Sequence, residues 1–485
     1  MSMLGSLMNA YSGLRVAQRK VDVISQNVAN AMTDGYGRRE VEVSAATTGG
    51  QGTGVRITGI RRESDFLTMA SRRLVQAETA GHQARADMLK RIEREIGISG
   101  EAGSLSDLTV RFEGSLVEAQ SRPESQSRQQ NILFAAKDLV SRLNQVSDAV
   151  QNARMQAERD IVKDVDRLNK NLERIAKLNV DIRLQSGKRN STNGLKDERQ
   201  RLVDQISDIV PIKVYTRKND QIAITTQGGE SLLEGLPSHL SFQPAGLITP
   251  QLSLQGGGLS GLWLDGRPVQ IGTGTGKLDG GSLAAHFEIR DRIAPQVSTQ
   301  VDAFARSLAE RFQAPGLDPT VGPADAGLFT DAGLRFDPAN EVGLAGRLQV
   351  NAAIDPDNGG SLWRLRDGLG ALAPGNSGNS RVLANLVDAV QQRKTVGSSG
   401  FPPDPMSLAD MADSMSGTVA SNRLHAEAAQ TSANSRLQGL RQIERAAGVD
   451  TDAEMQKLLL VQNAYAANAK VVSTIDMMLK QLMEL

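Results

Sequence analysis

The sequence has 485 residues, of which 39% are hydrophobic and 23% charged; this is too long for one ordinary core, and roughly two to four folded domains are expected. Basic and acidic residues balance at 55 each, which removes any general attraction to nucleic acid or to an anionic membrane, and aromatics at 3% provide too few stacking platforms for sugars or bases. The absence of cysteine excludes disulfide, thiolate-metal and cysteine-nucleophile chemistry.

The opening residues carry neither a basic leader nor a long apolar run, so no classical signal peptide is expected. No segment reaches the ~20 consecutive apolar residues of a membrane span, so no membrane insertion is expected. Leu4, Leu7, Tyr11, Leu14, Ala17, Val21, Ile24 and Val28 follow one another in steps of three or four, which predicts one helix. It should end at Thr33-Asp34-Gly35-Tyr36, where Gly35 can take a positive φ and turn the chain. Val41 and Val43, then Val55 and Ile57, read as two strands of a β-hairpin with a long glycine-rich tip over residues 49–54. Helix is expected again over residues 66–96, broken at Gly81.

No Gly or Pro occurs over residues 124–186. Leu133, Ala136, Val140, Leu143, Val146 and Val150 begin an apolar stripe that Ile161, Leu168, Leu172, Ile175 and Ile182 extend. At ~1.5 Å rise per residue this is a rod of roughly 90 Å, or two antiparallel helices of half that length. A helix over residues 197–210 stops at Pro211. The period then changes to two at Ile212, Val214, Ile222 and Ile224, with glycine clusters as turns. Helix resumes over residues 282–312, and residues 313–405, richer in Gly, Pro and Asn, read as an inserted outer domain of mixed structure. From there the chain reads as helical, with a turn at Gly448.

The sharpest pattern comes last. Leu458, Val461, Tyr465, Asn468, Val472, Ile475, Leu479 and Leu482 alternate steps of three and four, a heptad seam. An Asn within such a seam fixes register at some cost in stability. The fold class expected is mainly α with β-rich insertions: an elongated multidomain protein with terminal coiled-coil helices, a helical-bundle core domain and an inserted outer α/β-mixed domain. The division expected is an N-terminal helix and hairpin at 1–60, a helical core at 61–312 with a β-rich segment at 212–281, the inserted domain at 313–405, a return helix at 406–447 and the heptad helix at 448–485.

Chemistry is scarce. His82, His239, His286 and His425 are scattered, without metal-ligand spacing. The run from Gly272 to Lys277 resembles a phosphate loop, but Ile271 and Leu278 stand where Gly and Ser or Thr are needed, and Lys277 stands where a dinucleotide site needs its third Gly. No catalytic residues, metal site or cofactor are expected, and the protein is not read as an enzyme.

Two segments carry a family resemblance. Asn27-Val28-Ala29-Asn30-Ala31-Met32-Thr33-Asp34-Gly35-Tyr36, after Ser12-Gly13-Leu14, resembles the N-terminal motif of flagellar rod, hook and hook-associated axial proteins. Ala464-Tyr465-Ala466-Ala467-Asn468-Ala469-Lys470-Val471-Val472-Ser473-Thr474-Ile475-Asp476 is similar to their C-terminal motif. The long helical block, Asn193-Gly194-Leu195-Lys196-Asp197 and His286-Phe287-Glu288-Ile289-Arg290-Asp291 are similar to the hook-associated members rather than to the β-rich rod and hook subunits. Asp34 and Gly37 depart from the pattern, standing where Pro and a hydroxyl residue are usual.

The resemblance implies an exported structural subunit at the junction of hook and filament, extracellular on the bacterial flagellum and transiently cytoplasmic. It implies assembly through Leu4, Leu7, Tyr11, Leu14, Val21, Ile24, Asn27, Val28, Asn30, Gly35 and Tyr36 of the first segment with the eight heptad residues of the last. It further implies as partners copies of the chain in a helical layer, the hook protein, a second junction protein, a cytosolic export chaperone on the last helix and the type III export apparatus. The alternatives are a hook or rod subunit and, from another class, a cytosolic coiled-coil scaffold.

Overall fold

The structure, a computed structural model, describes residues 3–33, 35–48, 51–187 and 191–483. Helix α1 (Met3–Ala29) leads into an antiparallel hairpin of β1 (Arg39–Thr48) and β2 (Gln51–Arg62). The strands pair from Arg39 opposite Arg62 to Thr48 opposite Gln51, with irregularities after Glu42 and Ala46. They reach much further into the glycine-rich stretch than alternation alone implies. Gly52 and Gly54 lie inside β2, Gly54 at φ 107°, so glycine here relaxes a strand instead of ending it.

Helix α2 (Phe66–Ile96) is continuous, and the break expected at Gly81 does not occur. A Cβ at Gly81 would lie 3.1 Å from the Gly281 carbonyl oxygen, so this glycine serves close backbone approach. Helix α3 (Leu105–Ser121) starts at Ser104, whose hydroxyl accepts from the Asp107 amide at 3.2 Å. The Gly- and Pro-free block forms a single helix, α4 (Gln126–Gly187). Helix α5 (Asn193–Ile209) precedes β3 (Ile212–Thr216), β4 (Ile222–Thr226), β5 (Ser231–Glu234) and β6 (Leu236–Pro237), an antiparallel sheet in that order. A second small sheet holds β7 (Leu240–Ser241), β8 (Leu262–Leu264) and β9 (Arg267–Val269). The glycine run that follows closes on its own carboxylate: Asp279 accepts from the amides of Gly272 at 2.6 Å and Gly276 at 2.8 Å. Two of its amides are thus occupied from within the loop.

Helices α6 (Ser282–Glu288) and α7 (Ala294–Phe312) are joined by one wider turn over Ile289–Ile293. Short elements follow: β10 (Phe329–Asp331), α8 (Leu344–Arg347), β11 (Leu348–Val350), α9 (Arg364–Asp367) and α10 (Arg381–Gln391). Helices α11 (Leu408–Ala446) and α12 (Thr451–Met483) complete the chain. The protein is mainly helical with small antiparallel sheets, as the sequence pattern implies.

The chain divides into two units, one of residues 1–77, 167–239 and 433–485, the other of 78–166 and 240–432. The second unit has one continuous apolar core, drawn from α2, α3, α4, α7, α10 and α11. Phe112, Phe312 and Phe329 meet there, with ring centroids 5.0–5.7 Å apart; Phe329 stands edge-to-face to the other two, which adds to area burial. Leu328, Phe329, Leu348, Leu383 and Leu386, from the segment that composition sets apart, contribute to the same core. Arg290 is fully buried and answered by Glu158 at 2.7 Å and Asp291 at 2.8 Å, while Phe242 and Phe287 flank its guanidinium. Asp302 is buried with two backbone donors, Gly343 at 2.8 Å and Ala345 at 2.9 Å. Burial outweighs those bonds and lifts its carboxyl to about 6.

Candidate assembly interface

The first unit holds both segments that the sequence marks for assembly. Asn27 of α1 lies opposite Glu454 of α12, and Gly13 lies against Asn468, so the two helices pack antiparallel. The pairing is made close by a residue without a side chain. A methyl group on Gly13 would sit 2.8 Å from Asn468 Oδ1. Asn468 itself donates Nδ2 to the Ala464 carbonyl at 2.8 Å, so its amide is spent on its own helix and its bulk is what meets Gly13.

A polar hub anchors one end of the pair. Asn27 is fully buried and uses all four hydrogen-bonding positions. Its Nδ2 donates to the Arg39 carbonyl at 2.9 Å and Glu454 Oε2 at 3.0 Å, and its Oδ1 accepts from Tyr36 Oη at 2.9 Å and the Arg39 amide at 3.0 Å. Glu454 is 2% exposed and accepts also from Arg38 Nε at 3.0 Å and Lys457 Nζ at 3.1 Å. Burial pushes the Glu454 carboxyl up, but hydrogen bonds from Asn27, Lys457 and Arg38 outweigh it and hold it below the ordinary value. Burial raises the Tyr36 phenol, which stays a donor to Asn27, with the Arg39 guanidinium 4.8 Å above its ring.

The hairpin is tied down at two places. Partway along β2, Ser12 Oγ accepts from the Val55 amide at 3.0 Å and donates to the Asn9 carbonyl at 2.8 Å. A Cβ on Gly54 would collide with that hydroxyl. At its base, Asp197 of α5 accepts from Arg62 Nε at 2.7 Å, Arg39 Nη2 at 2.8 Å and the Gly37 amide at 3.2 Å. Asn193 donates to the Ile60 carbonyl at 3.1 Å. Gly35, at φ 79°, takes the left-handed turn, and its carbonyl accepts from Arg62 at 3.1 Å. The departure at Gly37 has a physical reason: a side chain there would overlap the Arg62 side chain where it reaches Asp197. Asp34 lies outside the described residues.

The expected interface residues divide by exposure. Ile24 and Asn27 are buried, as is Ile475. Leu7, Leu14, Val21 and Val28 are half-buried, and so are Leu458, Val461, Asn468 and Val472. Asn30 caps its own helix, donating to the Gln26 carbonyl at 2.9 Å. Leu4 at 68%, Tyr11 at 62%, Tyr465 at 48% and Leu479 at 41% face outward. The side chain of Leu482 lies outside the described residues. The pair thus buries one stripe between its helices and leaves a second apolar face open, to which Leu459, Leu460 and Val471 add.

Sequence reasoning missed Glu454, Arg38, Arg39 and Asp197. Glu454 had a signal: it stands four residues before Leu458, one step of the seam's three-and-four alternation, so it falls on the seam. A carboxylate there demands buried donors, and Asn27 was the buried amide to look for. Among the described residues no helix is long and apolar enough to cross a membrane, and no group of His, Asp and Glu is placed to hold a metal ion.

Residues 89–318 match the model of the flagellar hook-associated protein FlgK helical domain. Residues 7–36 match that of the flagella basal body rod protein, and residues 443–485 that of the C-terminal region of flagellar basal body rod FlgEFG proteins. Flagellar hook-associated protein 1 of Escherichia coli is 26% identical over 312 residues, covering 63% of this chain and 55% of the relative. The protein of that name in Salmonella typhimurium is 27% identical over 48% of this chain and 43% of its own. The chain therefore spans about half the length of these enteric relatives. With the protein of that name in Bacillus subtilis it aligns over 98% of this chain and 97% of the relative, at 22% identity. A solved structure, the flagellar hook junction protein FlgK from Burkholderia pseudomallei, is 20% identical over 54% of this chain and 46% of its own, with a TM-score of 0.44.

Proposed function

We propose that this chain, which belongs to the flagellar hook-associated proteins and is a structural component of the flagellar axis, forms the junction between hook and filament and assembles there through α1 and α12. The observation that carries this reading is the half-covered helix pair. Its inner stripe is partly covered between the two helices and locked by the Asn27–Glu454 hub, while Leu4, Tyr11, Leu459, Leu460 and Tyr465 stay in water. A face of that kind is stable in a lone subunit only at the cost of exposed apolar area, and neighbouring copies repeating the same contact would cover it. The hook protein and a second junction protein would bound the layer. Before assembly, a cytosolic export chaperone on α12 and the type III export apparatus would handle the chain.

Electron microscopy of cells lacking the gene, with a blot for flagellin in the medium, tests the assignment. Intact bare hooks with flagellin lost to the medium are expected. Missing hooks would move the chain to rod or hook, a reading to which the rod-protein matches at 7–36 and 443–485 lend weight. Normal flagella would sink both. Val472→Asp tests the assembly helices: it should leave the subunit folded and prevent incorporation, because a charge cannot be buried unpaired in a packed seam. Normal incorporation of that variant would remove α12 from the interface.

A further inference from the structure

We infer that the methionines of the α1–α12 pair are a modification site, at which the two-electron oxidant hydrogen peroxide forms sulfoxides on the unassembled subunit and thereby stops assembly. The inference rests on the reading of α1 and α12 as assembly helices.

The distribution of methionine carries it. The chain has 14 methionines and no cysteine, so thioethers are its only sulfur nucleophiles. Among the described residues, every exposed methionine lies in this pair or the turn after α1. Met3 and Met8 stand on α1, at 41% and 55% exposure, and Met32 follows it at 90%. Met455, Met477, Met478 and Met483 stand on α12. Those elsewhere are closed off: Met69, Met88, Met411 and Met415 are buried, and Met155 and Met406 are half-buried. An oxidant in water therefore reaches the helix pair without any opening of the cores.

The reaction balances without a further component. The thioether sulfur attacks one peroxide oxygen; the S–O bond forms as the O–O bond breaks. Sulfur loses two electrons, and the departing oxygen leaves as water after taking up the proton. A flexible apolar side chain becomes a strong hydrogen-bond acceptor. Met455 adjoins Glu454, and Met478 lies one turn beyond the buried Ile475, so the new oxygens enter the flanks of the seam. Each sulfoxide buried by a neighbour without a donor should weaken the contact about tenfold. The inner hub contains no sulfur, so the subunit keeps its fold while its outer face turns polar.

The test uses the purified full-length chain, treated with hydrogen peroxide or left reduced, and hooks isolated from cells lacking it. Peptide mass spectrometry should place the gain of one oxygen on the α1, turn and α12 methionines before Met88 or Met411, with an unchanged melting curve. Decoration of hooks in electron micrographs should fall at least tenfold, as the burial argument requires (about tenfold per sulfoxide), and methionine sulfoxide reductase should restore it. In a variant with the seven exposed methionines replaced by leucine, peroxide should leave the extent of decoration where it stood before treatment. Oxidation that begins at Met88 or Met411, or oxidised protein that decorates as well as reduced, overturns the inference alone. Reduced wild-type protein that fails to decorate hooks overturns the assembly reading and the inference with it.

Discussion

Helices α4 and α12 carry the same apolar spacing and meet opposite fates. In α4, Leu139, Leu143, Val146 and Val150 are fully closed off within a core that several helices share. In α12 the matching stripe buries Ile475, leaves Leu458, Val461 and Val472 half-covered and exposes Tyr465 and Leu479. Periodicity states that a face is made to be covered, but not by what. A helix enclosed by three or four neighbours gains about 2 kcal/mol for each closed leucine. A helix with one partner gains a fraction of that and needs a polar lock to fix its register. Asn27 and Glu454 supply the lock here, and the remaining apolar area stays in water.

Damage to the closed core should leave the helix pair as it was. Phe112→Ala should lower the stability of the core unit by about 3–5 kcal/mol, as truncation of a buried aromatic does. Urea denaturation measures the loss. Hydrogen exchange should show α12 amides exchanging as before in the native state, and equal loosening there would mean the two regions are one cooperative piece.

Acid should separate the regions next. Asp302 sits at about 6 in the fold against an ordinary 3.8, so the folded state holds its proton more tightly. Its extra stability is complete below pH 3.8 and lost as pH rises through about 6, a swing on the order of 3 kcal/mol. Glu454 works the other way. Its lowered value gives stability that is present above its ordinary 4.5 and lost as pH falls through the depressed value. Moderate acidification should therefore strengthen the core unit before stronger acid loosens the hub. Melting of the wild type against Asp302→Asn across that range checks the first half. Exchange at the Arg39 amide checks the second.

Two smaller changes act on the pair alone. Asn27→Ala strands Tyr36, the Arg39 amide and Glu454, and should cost about 2 kcal/mol, seen as faster exchange at Arg39 and in the first turns of α12. Gly13→Ala should push the helices apart at Asn468 for about 1 kcal/mol, and Asn468→Ala should relieve it. A double-mutant cycle without coupling would mean that the close approach at Gly13 carries no energy.

Much of this was legible in the sequence because helices announce themselves through spacing. The stripe from Leu133 to Ile182 foretold α4, and Gly35 foretold the turn after α1. Glycine misled where tertiary contact decides its meaning. Gly81 reads as a helix breaker and is instead a point of backbone approach; Gly52 and Gly54 read as loop and lie in a strand. The hub was invisible for a different reason. Asn27 and Asn468 attract attention through family motifs, but hydrogen-bond partners hundreds of residues away leave no periodic trace. Ser12, Gly13 and Gly37 likewise acquire meaning only once Val55, Asn468 and Arg62 stand beside them.

The hub also sets an order of events. Asn27 and Glu454 are 427 residues apart in the chain, whereas Tyr36 and Arg39 are near neighbours of Asn27. On a chain that is synthesised from its amino end, α1 and the hairpin exist long before the carboxylate that completes their lock. Loop closure over so many residues is slow compared with local folding. Until residue 454 arrives, a buried amide lacks one of its acceptors, and the early segments are held short of completion. The molecule thus contains its own timer: the α1–α12 pair closes only after α12 has been made.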